Sequence, residues 1–265
     1  MKLFTQTSGE GPDLVLIHGW GLHGGIWDTV VPLLEPCFRV TRVDLPGHGR
    51  SAWQGQVDLA AVTGAVLEVA PLEAAWLGWS LGGLVATQAA LEAPERIRQL
   101  VLLASTPSFV RRPGWQSAML PVLLDTFAAD LEADYSGTLN RFLSLQVRGS
   151  EDASAVLRTL RATLLEHGEP SAQALSAYLG LLRSADLRDQ LSTIRCPVLL
   201  LMGESDTLVP AAAGRQAEQL IPGARLEVIA GAGHAPFLVH PRVVATTVQA
   251  FLQPLNAACA GEQHG

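Results

Sequence analysis

The run Leu77-Gly78-Trp79-Ser80-Leu81-Gly82-Gly83 is where this 265-residue chain first offers residue types and spacing that could do covalent chemistry. It carries G-x-S-x-G, leaves a strand-like apolar run and enters a helix-like one, which is the setting of a nucleophile elbow. A serine at so sharp a turn takes a strained backbone conformation. The glycines two positions to either side are required because side chains there would collide with neighbouring backbone. A helix starting at Ser80 also places free amides and a positive dipole end near a developing oxyanion, with Leu81 N–H the expected donor. The plainer reading, a glycine-rich turn with an incidental serine, explains neither the strand before nor the helix after.

Serine is a poor nucleophile at neutral pH and needs a histidine oriented by a carboxylate. Of seven histidines, only His234 lies in a glycine-rich loop, Gly231-Ala232-Gly233-His234-Ala235-Pro236, between the last strand-like run and the last long helix-like one. His18, His23 and His48 precede the nucleophile, His167 falls in a helical stretch, His240 opens the final helix and His264 sits near the end. All six read as structural or solvated. In Gly203-Glu204-Ser205-Asp206, Asp206 follows a strand's carboxyl end and projects toward the crevice where open α/β sheets meet ligands. Glu204 and Asp186 are the competing acids.

A second oxyanion donor is expected from His18-Gly19-Trp20-Gly21, whose glycines let backbone approach a carbonyl oxygen; Trp20 N–H is the candidate. Its indole could also wall an apolar acyl pocket, or simply pack as core. Asp44-Leu45-Pro46-Gly47-His48-Gly49-Arg50-Ser51 is dense in polar residues, yet turn architecture is the better reading than a metal or catalytic site.

Elements must hold these residues together. Short apolar, β-branched runs at 14–17, 38–43, 75–78, 100–104, 198–202 and 226–229 read as buried strands. Stretches at 59–69, 81–91, 211–221 and 243–252 have helical spacing. Alternation of the two predicts an α/β fold with a mostly parallel sheet flanked by helices. The alternation stops over 109–183, where Leu, Ala, Met and Arg recur at helical spacing, punctuated by Pro113, Pro121, Pro170, Gly137, Gly149 and Gly168. Residues 1–108 and 184–254 are therefore expected to form the core, 109–183 a helical cap, and 255–265 a fraying tail.

Composition excludes other classes. A hydrophobic content of 48% is ample for a buried sheet. The net charge of −7 leaves no basic stripe for nucleic acid. Every apolar stretch is too short for a membrane span, and the first twenty residues lack the marks of an export signal. Cys37, Cys196 and Cys259 are too few and scattered for a disulfide framework or a metal site, so a cytoplasmic home is expected; a monomer is expected as well.

With those residues placed, the chain resembles the α/β-hydrolase superfamily along nearly its whole length. Within it, His18-Gly-Trp-Gly, Gly78-Trp-Ser-Leu-Gly-Gly, Arg141-Phe142-Leu143-Ser144-Leu145-Gln146 and Ala185-Asp186-Leu187-Arg188 resemble the pimeloyl-acyl-carrier-protein methyl ester esterases of biotin synthesis. The resemblance implies removal of a methyl ester from pimeloyl-acyl carrier protein with release of methanol, without a cofactor or metal. It implies Ser80, Asp206 and His234 as the triad, Trp20 and Leu81 as oxyanion donors, and Trp20, Trp79 and Phe142 beside the acyl chain. It further implies a basic cap face for the acidic carrier protein. Arg141 and Arg158 stand at matching positions, whereas two other basic positions are Gly137 and Ser154 here, with Arg148 and Arg161 nearby. Fold and triad alone also suit a general short-chain carboxylesterase, a carbon–carbon bond hydrolase or, with the chemistry lost, a ligand-binding protein.

Overall fold

The computed structural model describes residues 2–53, 55, 57–167 and 170–252. Seven strands, β1 (Thr5–Ser8), β2 (Asp13–Ile17), β3 (Arg39–Val43), β4 (Ala74–Trp79), β5 (Ile97–Leu103), β6 (Val198–Gly203) and β7 (Arg225–Ile229), form one sheet in the order β1-β3-β2-β4-β5-β6-β7. All neighbours are parallel except β1 and β3. Strands β4 and β6 are buried at every position, as a parallel sheet covered on both faces demands.

Strand β1 is absent from the sequence reading. Its residues, Thr-Gln-Thr-Ser, are partly exposed at the sheet edge and carry no apolar alternation. It is held by ladder pairing from Thr5↔Val43 to Ser8↔Val40, which any sequence can make.

Helices α1 (Val31–Leu34), α2 (Leu59–Val69) and α3 (Leu81–Glu92) follow in the first half of the chain. The step β2-α1-β3 crosses the sheet in the opposite direction to β4-α3-β5, so right-handed crossovers put α1 and α3 on opposite faces. Helix α3 packs on β4, β5 and α2. Between β5 and β6 the chain leaves the sheet for α4 (Pro121–Ala133), α5 (Tyr135–Gln146), α6 (Ala153–Glu166) and α7 (Ala172–Ser184). Pro121 opens α4 at a position where a missing N–H costs nothing, and the carboxylate of Asp134 caps α5 by accepting from Gly137 N at 3.0 Å. Helices α8 (Ala211–Leu220), α9 (Pro236–Val239) and α10 (Pro241–Leu252) are the last among the described residues, α8 on β6 and β7 and α10 against α1.

The tail expected at 255–265 and the break expected at Gly168 lie outside the described residues. Among the described residues, no helix is long and apolar enough to cross a membrane.

Candidate active site

Parallel strands all deliver their carboxyl ends to one edge, and four of the loops that leave it carry the residues singled out above. Ile17 of β2 pairs with Gly78 of β4, so the loop at 18–21 and the turn at 79–81 emerge side by side. Ser80 sits at φ +55°, ψ −117°, a conformation that is costly for any residue with a side chain. The turn closes only because its neighbours are glycines. A Cβ on Gly78 would stand 2.3 Å from Gly82 O, and one on Gly82 would stand 2.3 Å from Ile17 O. Ser105 Oγ then donates to Ser80 O at 2.7 Å, and Ser80 N to Leu103 O at 2.9 Å, pinning the turn to the end of β5.

His234 Nε2 lies 2.8 Å from Ser80 Oγ, and His234 Nδ1 lies 2.7 Å from Asp206 Oδ2. A carboxylate only accepts, so Nδ1 carries the ring proton and Nε2 accepts from the serine hydroxyl. The other carboxylate oxygen of Asp206 accepts from Leu208 N at 2.8 Å and Val209 N at 3.0 Å, which fixes the plane of the group. All three side chains are buried. The competing acids are placed elsewhere: Glu204 Oε2 accepts from Gly231 N at 3.1 Å, while Asp186 pairs with Arg188 at 2.8 Å and Arg112 at 3.4 Å.

The loops that carry Asp206 and His234 meet because Gly203 has no side chain. A Cβ there would fall 2.0 Å from Gly233 O. Trp79 backs the same loop: its indole Nε1 donates to His234 O at 2.7 Å, and its ring packs on Phe237 at 5.1 Å between centroids.

Leu81 is the first residue of α3, and the opening amides of a helix have no intrahelical acceptor. Trp20 lies across from it on the loop after β2. Its indole donates to Leu175 O of α7 at 3.0 Å, and its ring meets Phe142 of α5 edge-on at 4.5 Å; Phe142 in turn meets Phe127 of α4 at 6.0 Å. These rings form an apolar wall shared by the sheet edge and the helical segment.

Two buried histidines brace the Trp20 loop. His18 Nε2 accepts from Leu45 N at 2.9 Å and its Nδ1 donates to Gly19 O at 2.8 Å; His48 Nε2 accepts from Gly21 N at 3.2 Å and its Nδ1 donates to Pro46 O at 3.2 Å. Burial pushes their pKa values down to about 4 and about 3, so both are uncharged brackets at neutral pH. Asp44 ties the same region, accepting from Gly24 N at 2.7 Å and Arg50 N at 2.9 Å.

His23, Glu166 and His167 form the one group among the described residues whose atoms lie near enough to share a metal ion. The ring of His23 is already engaged at both nitrogens: Nε2 donates to Thr163 O at 2.7 Å and Nδ1 accepts from Gly25 N at 3.0 Å. A ligating imidazole would have to give up one of these bonds.

Arg141 and Arg158 are exposed on α5 and α6. Arg141 reaches Asp130 and Thr138, each at 2.9 Å, and Arg161 reaches Asn140 at 3.1 Å. At Gly137 an added Cβ would lie 1.9 Å from the capping carboxylate of Asp134, so a longer side chain there would disturb the cap.

The family described as alpha/beta hydrolase fold matches residues 12–241. The chain is 47% identical to the pimeloyl-[acyl-carrier protein] methyl ester esterase of Nitrosomonas europaea, over 91% of this chain and 95% of that one. It is 44% identical to the enzyme of the same name from Photobacterium profundum, over 94% and 97%. The chain belongs to this esterase family within the α/β-hydrolase fold. Among solved structures, an esterase from Exiguobacterium antarcticum superposes with a TM-score of 0.86 at 22% identity, over 95% of each chain, a likeness of fold.

One residue of this site carries a signal that its sequence position alone does not give. Gln146 ends α5 with a buried side chain whose carboxamide oxygen and nitrogen both lack a partner among the described residues. A buried, unpaired amide is uncommon in a folded protein and leaves a donor and an acceptor free for a water or a bound molecule.

Proposed function

We propose that the chain hydrolyses the methyl ester of pimeloyl-[acyl carrier protein], leaving the carrier thioester intact and releasing methanol. The observation that carries the chemistry is the continuous relay of 2.7 and 2.8 Å through His234 behind a serine at a strained elbow. The substrate rests on the names of relatives more than 40% identical over nearly the whole chain.

Ser80 Oγ attacks the ester carbonyl as His234 Nε2 takes its proton, and the amides of Leu81 and Trp20 hold the oxyanion. His234 then protonates the departing methoxide. Water attacks the acyl-enzyme with His234 again as base, and Asp206 orients the imidazole and stabilises its transient charge. Trp20, Trp79 and Phe142 bound the acyl chain, and the helical segment at 109–183 acts as the cap that covers it.

Arg141 and Arg158 receive the acidic carrier protein on the outer face of this cap. The Arg141–Asp130 pair is exposed, so exchanging one carboxylate for another costs little.

The test is kcat/KM for pimeloyl-acyl carrier protein methyl ester against a short p-nitrophenyl ester, in wild type and in an Arg141→Glu, Arg158→Glu double variant. A strong carrier preference that the double variant loses supports the assignment. Equal activity on both esters, untouched by the variant, leaves a general carboxylesterase instead.

A further inference from the structure

The loop that carries the base is tied down from two directions. Toward the sheet, Ala232 O accepts from Ser205 N at 2.9 Å, and the Glu204 and Trp79 bonds described above hold Gly231 and His234. Toward the helical segment there are three more bonds, all to the last residue of α5 or the link that follows it. Gly231 O accepts from Glu151 N at 2.8 Å, His234 N donates to Gln146 O at 3.0 Å, and Gly233 N donates to Ser150 Oγ at 2.9 Å. The link also touches the acid loop: a Cβ on Gly149 would stand 2.8 Å from Ser205 Cβ, next to Asp206.

Two of these three bonds join backbone to backbone and ask nothing of residue type. The third depends on a hydroxyl. Gly233 is buried and immediately precedes His234, whose ring must hold Asp206 and Ser80 at once. Without the Ser150 oxygen, the Gly233 amide must find another partner or stay unpaired, and either outcome shifts the peptide that sets the imidazole.

We propose that Ser150 is a positioning residue for His234, acting through the Gly233 amide, and that residues 146–151 are the fixed anchor of the helical segment. The proposal rests on the reading of Ser80, His234 and Asp206 as the hydrolytic machinery. If the cap moves to admit substrate, it pivots about this anchor, because lifting the link would take the base with it.

The experiment compares Ser150→Ala, Ser150→Cys and Ser150→Thr with wild type on a p-nitrophenyl ester, a probe too small to engage the carrier-docking face. Turnover is normalised to the fraction of Ser80 titrated by a fluorophosphonate, so loss of folded protein does not count. Expected is about a tenfold fall in kcat for Ser150→Ala with KM within twofold. Ser150→Cys, which keeps the size but accepts weakly, should lie between, and Ser150→Thr should restore kcat to within twofold. The acid limb of the pH profile should move to lower pH in Ser150→Ala alone, as a loosened Asp206 contact stabilises the imidazolium less. An active wild type whose three variants share its kcat and pH profile overturns the positioning role, as does an equal loss in Ala and Thr. A wild type that neither turns over ester nor reacts with the fluorophosphonate instead overturns the hydrolase reading beneath it.

Discussion

The indole Nε1 of Trp79 donates to the backbone carbonyl of His234 at 2.7 Å, so the residue before Ser80 holds His234 by a bond outside the Ser80–His234–Asp206 relay. Trp79→Phe keeps most of the ring packing on Phe237 and removes only the donor. Leaving a buried carbonyl unpaired costs about 1–3 kcal/mol. The expected result is a several-fold lower kcat and a melting temperature a few degrees lower, read from steady-state kinetics and thermal denaturation on the same preparation.

Asp206→Asn should leave the fold intact and cut kcat by about 10³–10⁴, because the amide can present its N–H to His234 and favour the wrong tautomer. The carboxylate also accepts from Leu208 and Val209 amides, so the variant's unchanged circular dichroism is part of the expectation. Residual activity within tenfold of wild type would transfer the role to another acid.

For Gln146, stability and activity should separate. Its carboxamide has no protein partner among the described residues, so Gln146→Met removes no internal bond and should hold or raise the melting temperature. If the amide bonds the substrate, kcat/KM for the methyl ester should fall about tenfold over the same substitution. A variant equal to wild type in kcat/KM would make the amide a packing feature only.

Acid should destabilise the protein through His18 and His48. Burial holds their folded pKa values at about 4 and about 3, against 6.5 in the unfolded chain. Between pH 6.5 and those values the unfolded chain binds more protons. Stability is therefore full above pH 6.5, declines as pH falls through the window and levels off below the folded values. His48, the more strongly shifted of the two, accounts for about 3 kcal/mol of loss by pH 4, and His18 acts in the same direction. His48→Gln, which can still accept from Gly21 N, should flatten the dependence, as measured by urea denaturation from pH 7 to 4.

Much of this arrangement was legible from residue types. Strands β2 to β6 announce themselves because burial forces apolar runs, β7 through Leu226, Val228 and Ile229 although it is mostly exposed, and the elbow because a Cβ on Gly82 would stand 2.3 Å from Ile17 O. The three residues proposed as the triad stood out for similar reasons, each in a loop at a strand's end. What could not be read is what depends on neither hydropathy nor steric necessity. Strand β1 is polar and paired only through its backbone. The link after α5 meets the His234 loop through backbone groups and one common hydroxyl, across more than 80 residues of chain. Nothing local in Ser150 distinguishes it from any surface serine.

The helical segment departs from β5 and returns to β6, and these two strands are immediate neighbours in the sheet. Its base is closed by a hydrogen bond, Leu187 N donating to Pro107 O at 3.0 Å, so the points of exit and re-entry lie side by side. Such an insert is a cassette: another of different length and sequence in its place should leave the register of the seven strands unchanged. A graft would have to bring along acceptors for the amides of Gly233 and His234, or the recipient would inherit a new specificity together with an idle base.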